Sequence, residues 1–282
     1  MQNSVPLNPV DYLVIGHLSC DLTPDGPRLG GTTTYAALMA RALGLRVGVV
    51  TTWGGEIALD ALDGIQVRSA AVEHSISFEN VYTPQGRQQI IHHSVPDILY
   101  ENIPEIWRKA AIVHIGPIAG EGKSLADGSF PSSMLGLTPQ GWLRTWNADG
   151  RVHIGTWPEV LQALSKVNAA VFSTDDVGGD EEQIEAMVNK CRVVAVTEGA
   201  AGARLYWNGD LRRFRALPVK EVDPTGAGDI FAAAFFWRFS ITHDPWVAAK
   251  FATRLASCSV TRRGLEGIPT KDEIQTCLVE VM

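Results

Sequence analysis

Along the chain, short runs that are apolar at almost every position alternate with stretches in which apolar residues recur every three or four positions. The continuous runs are DYLVIG (Asp11 to Gly16), RVGVVTTW (Arg46 to Trp53), AIVHIG (Ala111 to Gly116), SMLGLT (Ser133 to Thr138), AAVFS (Ala169 to Ser173) and RVVAVT (Arg192 to Thr197). Runs of this length, rich in β-branched side chains, predict strands buried on both faces. TTTYAALMARALGL (Thr32 to Leu45) predicts a helix, as does GDEEQIEAMVNK (Gly179 to Lys190), whose acidic first turn suits the positive end of a helix dipole. In HDPWVAAKFATRLASCSV, Asp244 is placed to cap a helix and Pro245 to occupy its first position. Strands alternating with helices predict an α/β fold: three layers, α/β/α, around a mainly parallel sheet.

One region breaks the rhythm. HSISFENVYTPQGRQQIIHHSV (His74 to Val95) alternates apolar and polar residues around a Pro/Gly turn. That pattern predicts a hairpin half exposed to solvent, a small β element projecting from the main sheet. No internal repeat, low-complexity segment or long linker divides the chain, so residues 1–282 are expected to form one domain.

Composition narrows the function. The 282 residues carry a formal net charge of −7, which argues against a nucleic-acid partner but not against small anions held by local groups. No apolar run approaches the length of a membrane span. The first ten residues lack the basic and apolar segments of a secretory signal. Cys20, Cys191, Cys258 and Cys277 are scattered, with no zinc-like spacing. A reduced, cytoplasmic protein is expected.

The densest chemistry lies in VDPTGAGD (Val222 to Asp229), which runs straight into the apolar segment IFAAAFFW. Thr225, Gly226, Ala227 and Gly228 can bring several backbone N–H groups to one point, and the adjoining helix adds its own unpaired N–H groups and dipole. Such a site favours an anion, phosphate above all. Asp229 then sits in the first turn beside it, placed to orient an acceptor hydroxyl and take its proton in phosphoryl transfer. A lone GAGD would more simply be a turn with a helix-stabilising carboxylate. The whole phrase DPTGAGDIFAAAFF, however, resembles the second signature of the ribokinase/PfkB family of sugar kinases, and every position is compatible with it.

The resemblance extends over most of the chain. IGHLSCD (Ile15 to Asp21) resembles the family's first strand and the aspartate that binds substrate hydroxyls; a carboxylate suits a polyol. LGGTTTYAA (Leu29 to Ala37) resembles the Gly-Gly substrate loop, with Gly30 and Gly31 allowing close backbone approach and Tyr35 standing where the family often has Asn. FSTDD falls where the family carries Asn-x-x-Glu. The matching pair is Ser173, on the donor side, and Asp176, implied to hold magnesium through water, although an acidic cap reads equally well for Asp176. TEGAAGARLYW matches a segment near the nucleotide phosphates through Thr197, Gly199 and Gly202, and Thr253, Ala256 and Ser257 resemble the helix lining the adenine. Asp223 is implied to frame a monovalent-cation (K+) site, as in some relatives. The hairpin around 74–96, together with 18–33, resembles the family's lid, reduced because only LTPDGPRL lies between Asp21 and Gly30. Phe78, Asn80, Tyr82, Arg87 and Gln89 are its candidate acceptor-facing residues. Gln140 and Arg144, in GLTPQGWLR, come after a strand whose carboxyl end is a natural ligand edge, and are placed to touch substrate or the transferring phosphate.

GPIAGEGKS (Gly116 to Ser124) imitates a Walker A loop, but it has five residues rather than four before Gly-Lys, and Pro117 offers no N–H. Glu121 is expected instead on the substrate side. The resemblance therefore implies a ribokinase-like kinase that uses ATP and Mg2+, with K+ as an optional ion, to phosphorylate a hydroxyl of a small sugar or sugar-like polyol. Its only expected partner is that small molecule, with no nucleic acid or membrane, and the assembly is a monomer or homodimer. A nucleoside kinase of the same fold and a non-catalytic sugar- or nucleotide-binding sensor are the alternatives.

Overall fold

The computed structural model describes residues 7–83, 86–127, 129–155 and 158–279. The chain opens with β1 (Tyr12–Ile15), then β2 (Ser19–Thr23), β3 (Gly26–Gly30), α1 (Thr32–Ala42), β4 (Val47–Trp53) and β5 (Gln66–Ala71). A hairpin of β6 (Ile76–Thr83) and β7 (Gly86–Ile91) precedes β8 (Ile112–Ile115) and β9 (Met134–Leu137). A second, smaller hairpin pairs β10 (Arg144–Trp146) with β11 (Val152–Ile154). Next come α2 (Pro158–Leu164), β12 (Ala169–Ser173), α3 (Glu181–Val188), β13 (Val193–Thr197), β14 (Ala203–Trp207) and β15 (Asp210–Phe214). Three helices complete the fold: α4 (Ala227–Thr242), α5 (Pro245–Ser259) and α6 (Lys271–Val279).

All six continuous apolar runs become strands of one sheet, ordered β15-β14-β13-β12-β9-β8-β1-β4-β5. Its seven strands from β13 to β5 are parallel; β14 runs against them, and β15, antiparallel to β14, returns to their direction. The chain winds outward from β1 to β4 and β5, then resumes on the other side at β8. This reversal leaves a crevice at the carboxyl ends of β1 and β8, where open α/β sheets take their ligands. Helices α1, α4 and α5 cover one face. The other face is covered by Trp107, Trp142 and residues of α2 and α3. The architecture is the expected three-layer α/β/α arrangement.

Helix α4 explains why the segment after Asp229 is apolar on all sides. Phe231, Phe235 and Phe236 are fully buried, with Phe231 and Phe235 stacked at 6.0 Å. Each buried ring contributes about 1.5–3 kcal/mol of apolar burial, so these aromatic turns hold the start of α4 rigidly in place. Beneath Phe236, His114 lies in the middle of the sheet between the hydroxyls of Tyr12 and Thr138, each 3.0 Å away. Burial pushes its pKa down to about 3, so the ring is neutral.

A separate four-stranded sheet, β3-β2-β6-β7, stands over the carboxyl edge. The LTPDGPRL stretch, read from sequence as a short connection, folds as its own hairpin: Pro24 and Asp25 make a two-residue turn, and Thr23 pairs with Gly26. Pro27 is accommodated because β3 is an edge strand and needs no donor on its outer side. The lid is therefore four short strands.

Candidate active site

The crevice is framed by the carboxyl ends of the parallel strands and the amino ends of α1 and α4, with the lid and the start of β10 beside them. α4 begins at Gly226, whose φ of 77° favours glycine, and no side chain caps its first N–H groups. A β-carbon at Gly226 would stand 2.2 Å from the Tyr35 ring, so the turn lies flat on that ring and only glycine fits. On the other side Gly228 is exposed, and a β-carbon there would meet nothing within 4 Å. The N–H cradle is thus backed by an aromatic ring and open outward, which fits an anionic group approaching from solvent. Asp223 ties the turn down: Oδ1 accepts from Thr225 N (2.9 Å) and Oδ2 from Gly264 N (2.9 Å). Burial acts to raise its pKa, but these bonds and nearby Arg263 outweigh it, and Asp223 stays below the usual range.

Asp229 keeps part of its side chain open while protein surrounds the rest. Loss of water is the main reason its pKa rises to about 6. A hydrogen bond from the Thr32 hydroxyl and the charge of Arg144 oppose the rise, whereas the charges of Asp176 and Asp21 add to it. These groups come from α1, the start of β10, the loop after β12 and the lid, so the charges of separate elements act on one carboxylate. Near neutral pH that carboxylate is ionised yet close to its pKa, as a general base should be.

On the acceptor side, Asp21 projects from β2 with Oδ1 accepting from Ser19 Oγ (2.8 Å). A β-carbon at Gly30 would stand 2.1 Å from its carboxylate, so glycine there is what lets Asp21 lie across β3. Strand register puts Asp21 opposite Phe78, two residues from Asn80, which pairs with Gln89 across the hairpin. Asn80 accepts a long hydrogen bond from Gln89 Nε2 at 3.4 Å. Phe78 itself is buried against Ile76, Ile91 and Ile118. The side chains of Tyr82 and Arg87 lie outside the described residues.

On the donor side, Ser173 and Asp176 close on each other: Asp176 Oδ2 accepts from Ser173 N (2.8 Å) and Ser173 Oγ from Asp176 N (3.1 Å). Asp176 Oδ1 accepts from Gln140 Nε2 (2.8 Å), which joins two predicted residues directly. Thr197 ends β13 and leads into a short turn at Gly199–Ala201 and then Gly202. Arg204 braces this corner. Its guanidinium bonds both oxygens of Glu181 (2.8 and 2.9 Å) and its Nε lies 2.8 Å from Glu198.

Three expectations need correction. Tyr35 does not present itself to a substrate: its ring is buried beneath Gly226, because α1 and α4 start side by side. Thr253 and Ser257 are buried in α5. Thr253 Oγ1 donates to Ala249 O (2.8 Å), and Ser257 Oγ donates to Thr253 O (2.8 Å) while accepting from Leu217 N (3.0 Å). Their hydroxyls belong to the packing, whereas Ala256 between them is part-exposed. Glu121 is a buried strut, not a substrate ligand. It accepts from the backbone N–H of His17 (3.0 Å), Ile118 (2.9 Å) and Ala119 (2.8 Å), binding the loops after β1 and β8 together. Conversely, sequence reasoning missed Thr32, which entered only as the first residue of a predicted helix. Its position immediately after Gly31, at the crevice, is the signal that could have singled it out.

Comparison with known proteins decides the family. A model of the pfkB family carbohydrate kinases matches residues 162–271. Over 260 residues the chain is 30% identical to a cytidine kinase of Thermococcus kodakarensis, an alignment spanning 82% of this chain and 89% of that one. The chain belongs to the PfkB family of carbohydrate kinases. It is thus a phosphotransferase whose acceptor is an alcohol group. An inositol 3-kinase of Zea mays is 36% identical over 112 residues, 36% of this PfkB chain and 28% of that protein. The structure of Arabidopsis thaliana ribokinase, complexed with ribose and ATP, superimposes with a TM-score of 0.73 at 21% identity, covering 96% of this chain and 99% of that one. Among the described residues, no helix is long and apolar enough to cross a membrane.

Proposed function

We propose that this PfkB kinase transfers the terminal phosphoryl group of ATP to a hydroxyl of a small sugar or sugar-like polyol. One observation carries the reading: Asp229 stands in the first turn of α4 beside an open N–H cradle, within range of the charges of Arg144 and of the lid carboxylate Asp21. Asp21, with Asn80 from the lid, holds acceptor hydroxyls, and Gly30 and Gly31 let the backbone close on them. Asp229 takes the proton as the acceptor oxygen forms its bond to phosphorus and the bond to the leaving diphosphate breaks. The N–H groups of Gly226, Ala227 and Gly228 receive the developing charge, Arg144 adds a positive partner, and Thr225 borders the same cradle. Ser173, Thr197, Gly199, Gly202 and Ala256 line the donor side.

Magnesium, when bound, neutralises charge on the donor phosphates. Among the described residues no cluster of three or more His, Cys, Asp or Glu is arranged to hold a metal. The residues therefore fit an ion carried by the phosphates, with Asp176 reaching it through water, rather than a cage of protein ligands. A monovalent ion such as K+ beside Asp223 would support the same turn.

The alternative acceptor is a nucleoside, favoured by the 30% identity to a cytidine kinase along most of both chains. The test is ADP release with ATP and Mg2+ across pentoses, hexoses, inositols and nucleosides, with and without K+, alongside Asp229→Asn. Stimulation by one acceptor class, lost in the variant, supports the reading and names the class. Full turnover by Asp229→Asn would refute the assignment of the base. Tight binding of an acceptor with no transfer would indicate a sensor.

A further inference from the structure

The small β10–β11 hairpin stands between the two halves of the site, and its contacts run to both. At its tip, Gly150 O accepts from Ile91 N at the end of lid strand β7 (2.9 Å), and Arg151 bridges to Ile90. Val152 packs into the apolar cluster of Ile76, Phe78, Ile91 and Ile118 that seats the lid. At its root, Arg144 pairs in register with Ile154, and Gly155 N donates to Leu143 O (2.8 Å). Ile154 reaches across to the loop after Asp176, where a β-carbon at Gly178 would stand 2.9 Å from it. Arg144, at that root, is the cation acting on Asp229, and Gln140 just before it bonds Asp176.

From this arrangement we infer that the Arg144–Ile154 hairpin couples the seating of the lid over the acceptor to the placement of Arg144 at the reacting group, with Gly150 as its positioning residue. The inference rests on the kinase reading for its catalytic consequence, but the mechanical coupling stands on the contacts alone. A two-stranded ribbon bonded at both ends transmits displacement along its length. When the lid settles on an acceptor, the strand end at Ile91 moves with it, and the ribbon carries that movement to Arg144. Gly150 is irreplaceable at the joint for two reasons. Its φ is 78°, and a β-carbon would stand 2.3 Å from the carbonyl oxygen of Ile91, which is backbone and cannot swing aside. Any side chain there pushes the lid strand off the hairpin.

The test is Gly150→Ala in the full-length protein, with Gly44→Ala as control. Gly44 has a similar φ of 85° but opens onto free space away from the lid. With the acceptor identified, Gly150→Ala should lower kcat and raise the acceptor KM, for a combined loss on the order of 10- to 100-fold, while ATP affinity by calorimetry stays within twofold. In an Arg144→Ala background the same substitution should cost no further kcat, because the hairpin acts through that arginine. Equal, additive losses in both backgrounds would overturn the proposal, as would wild-type kinetics for Gly150→Ala. A second readout needs no turnover: amide exchange should quicken together at Ile91 and across Gln140–Arg144 in Gly150→Ala but not in Gly44→Ala. Faster exchange confined to the lid would show that nothing is transmitted. Coupled exchange in a protein that phosphorylates no acceptor would preserve the mechanical link and sink only the kinase reading.

Discussion

Asp229 should make the protein less stable than it needs to be, and the cost can be measured. Its pKa lies at about 6 in the fold, against an ordinary value of 3.8. A folded-state pKa raised in this way leaves stability intact below about pH 4, where both states are protonated. Stability is then lost as pH rises from about 4 to about 6, where the unfolded chain has ionised and the folded one has not, and it stays at that lower level above. At 1.36 kcal/mol per pH unit, the full cost above pH 6 is about 3 kcal/mol. Asparagine has the same shape and no charge, so Asp229→Asn should be more stable than the wild type at pH 8 by up to that amount, or roughly 5–10 °C in Tm for a chain of this size. The assay is urea unfolding of both proteins, without ligands, from pH 4.5 to 8. His114 complicates either curve alone: its low folded pKa means that stability falls as pH drops below 6.5 and the unfolded chain takes up a proton. That contribution is common to both proteins and cancels in their difference. The difference should already be about 1 kcal/mol at pH 4.5, widen up to about pH 6 and level off above it. A constant difference, or an asparagine variant less stable at pH 8, would refute the claim that desolvation governs this carboxylate.

Three further outcomes are expected from the same geometry. Thr32→Val removes a hydrogen bond that lowers the pKa of Asp229; such a bond to a charged group is worth about 1.5–3 kcal/mol. The acid limb of the pH–rate profile, expected near pH 6 in the wild type, should therefore move about one to two units toward alkaline pH, and an unmoved limb would show that Thr32 does not act on the base. Tyr35→Phe should leave acceptor KM near wild type because the ring supports Gly226 from below. Tyr35→Ala should cost about 3–5 kcal/mol of stability by opening a cavity under the turn. A large KM change in Tyr35→Phe would restore Tyr35 as a substrate ligand.

Much of the fold was legible because its strands are buried on both faces. Inside a run such as RVVAVT, the four positions from Val193 to Val196 are all apolar, which leaves no exposed face for an amphipathic helix or a half-exposed strand. The N-cap at Asp244 was equally plain, and its side chain accepts from Trp246 N and Val247 N. The β2–β3 hairpin was harder, since Pro24 and Pro27 in eight residues look like a loop unless the strand is known to lie at an edge. In the site, Asp229 and its glycines were readable because the anion cradle is local in sequence. What Tyr35, Thr253, Ser257 and Glu121 do depends on which way a side chain turns and what lies against it, and that is fixed by distant segments. The bond from Gln140 to Asp176 spans 36 residues and has no local signature.

The first turn of α1 has a consequence for anyone wishing to change which acceptor the protein uses. Thr32 serves the carboxylate and Tyr35, one turn on, carries the glycine cradle, so this turn is committed to the transfer machinery on both counts. Variation there would trade away rate whatever it did for recognition. Asn80 and Gln89, which share a 3.4 Å bond across the hairpin, belong to the lid and lie outside that turn. Libraries aimed at a new acceptor belong on the lid, and the head of α1 is best left untouched.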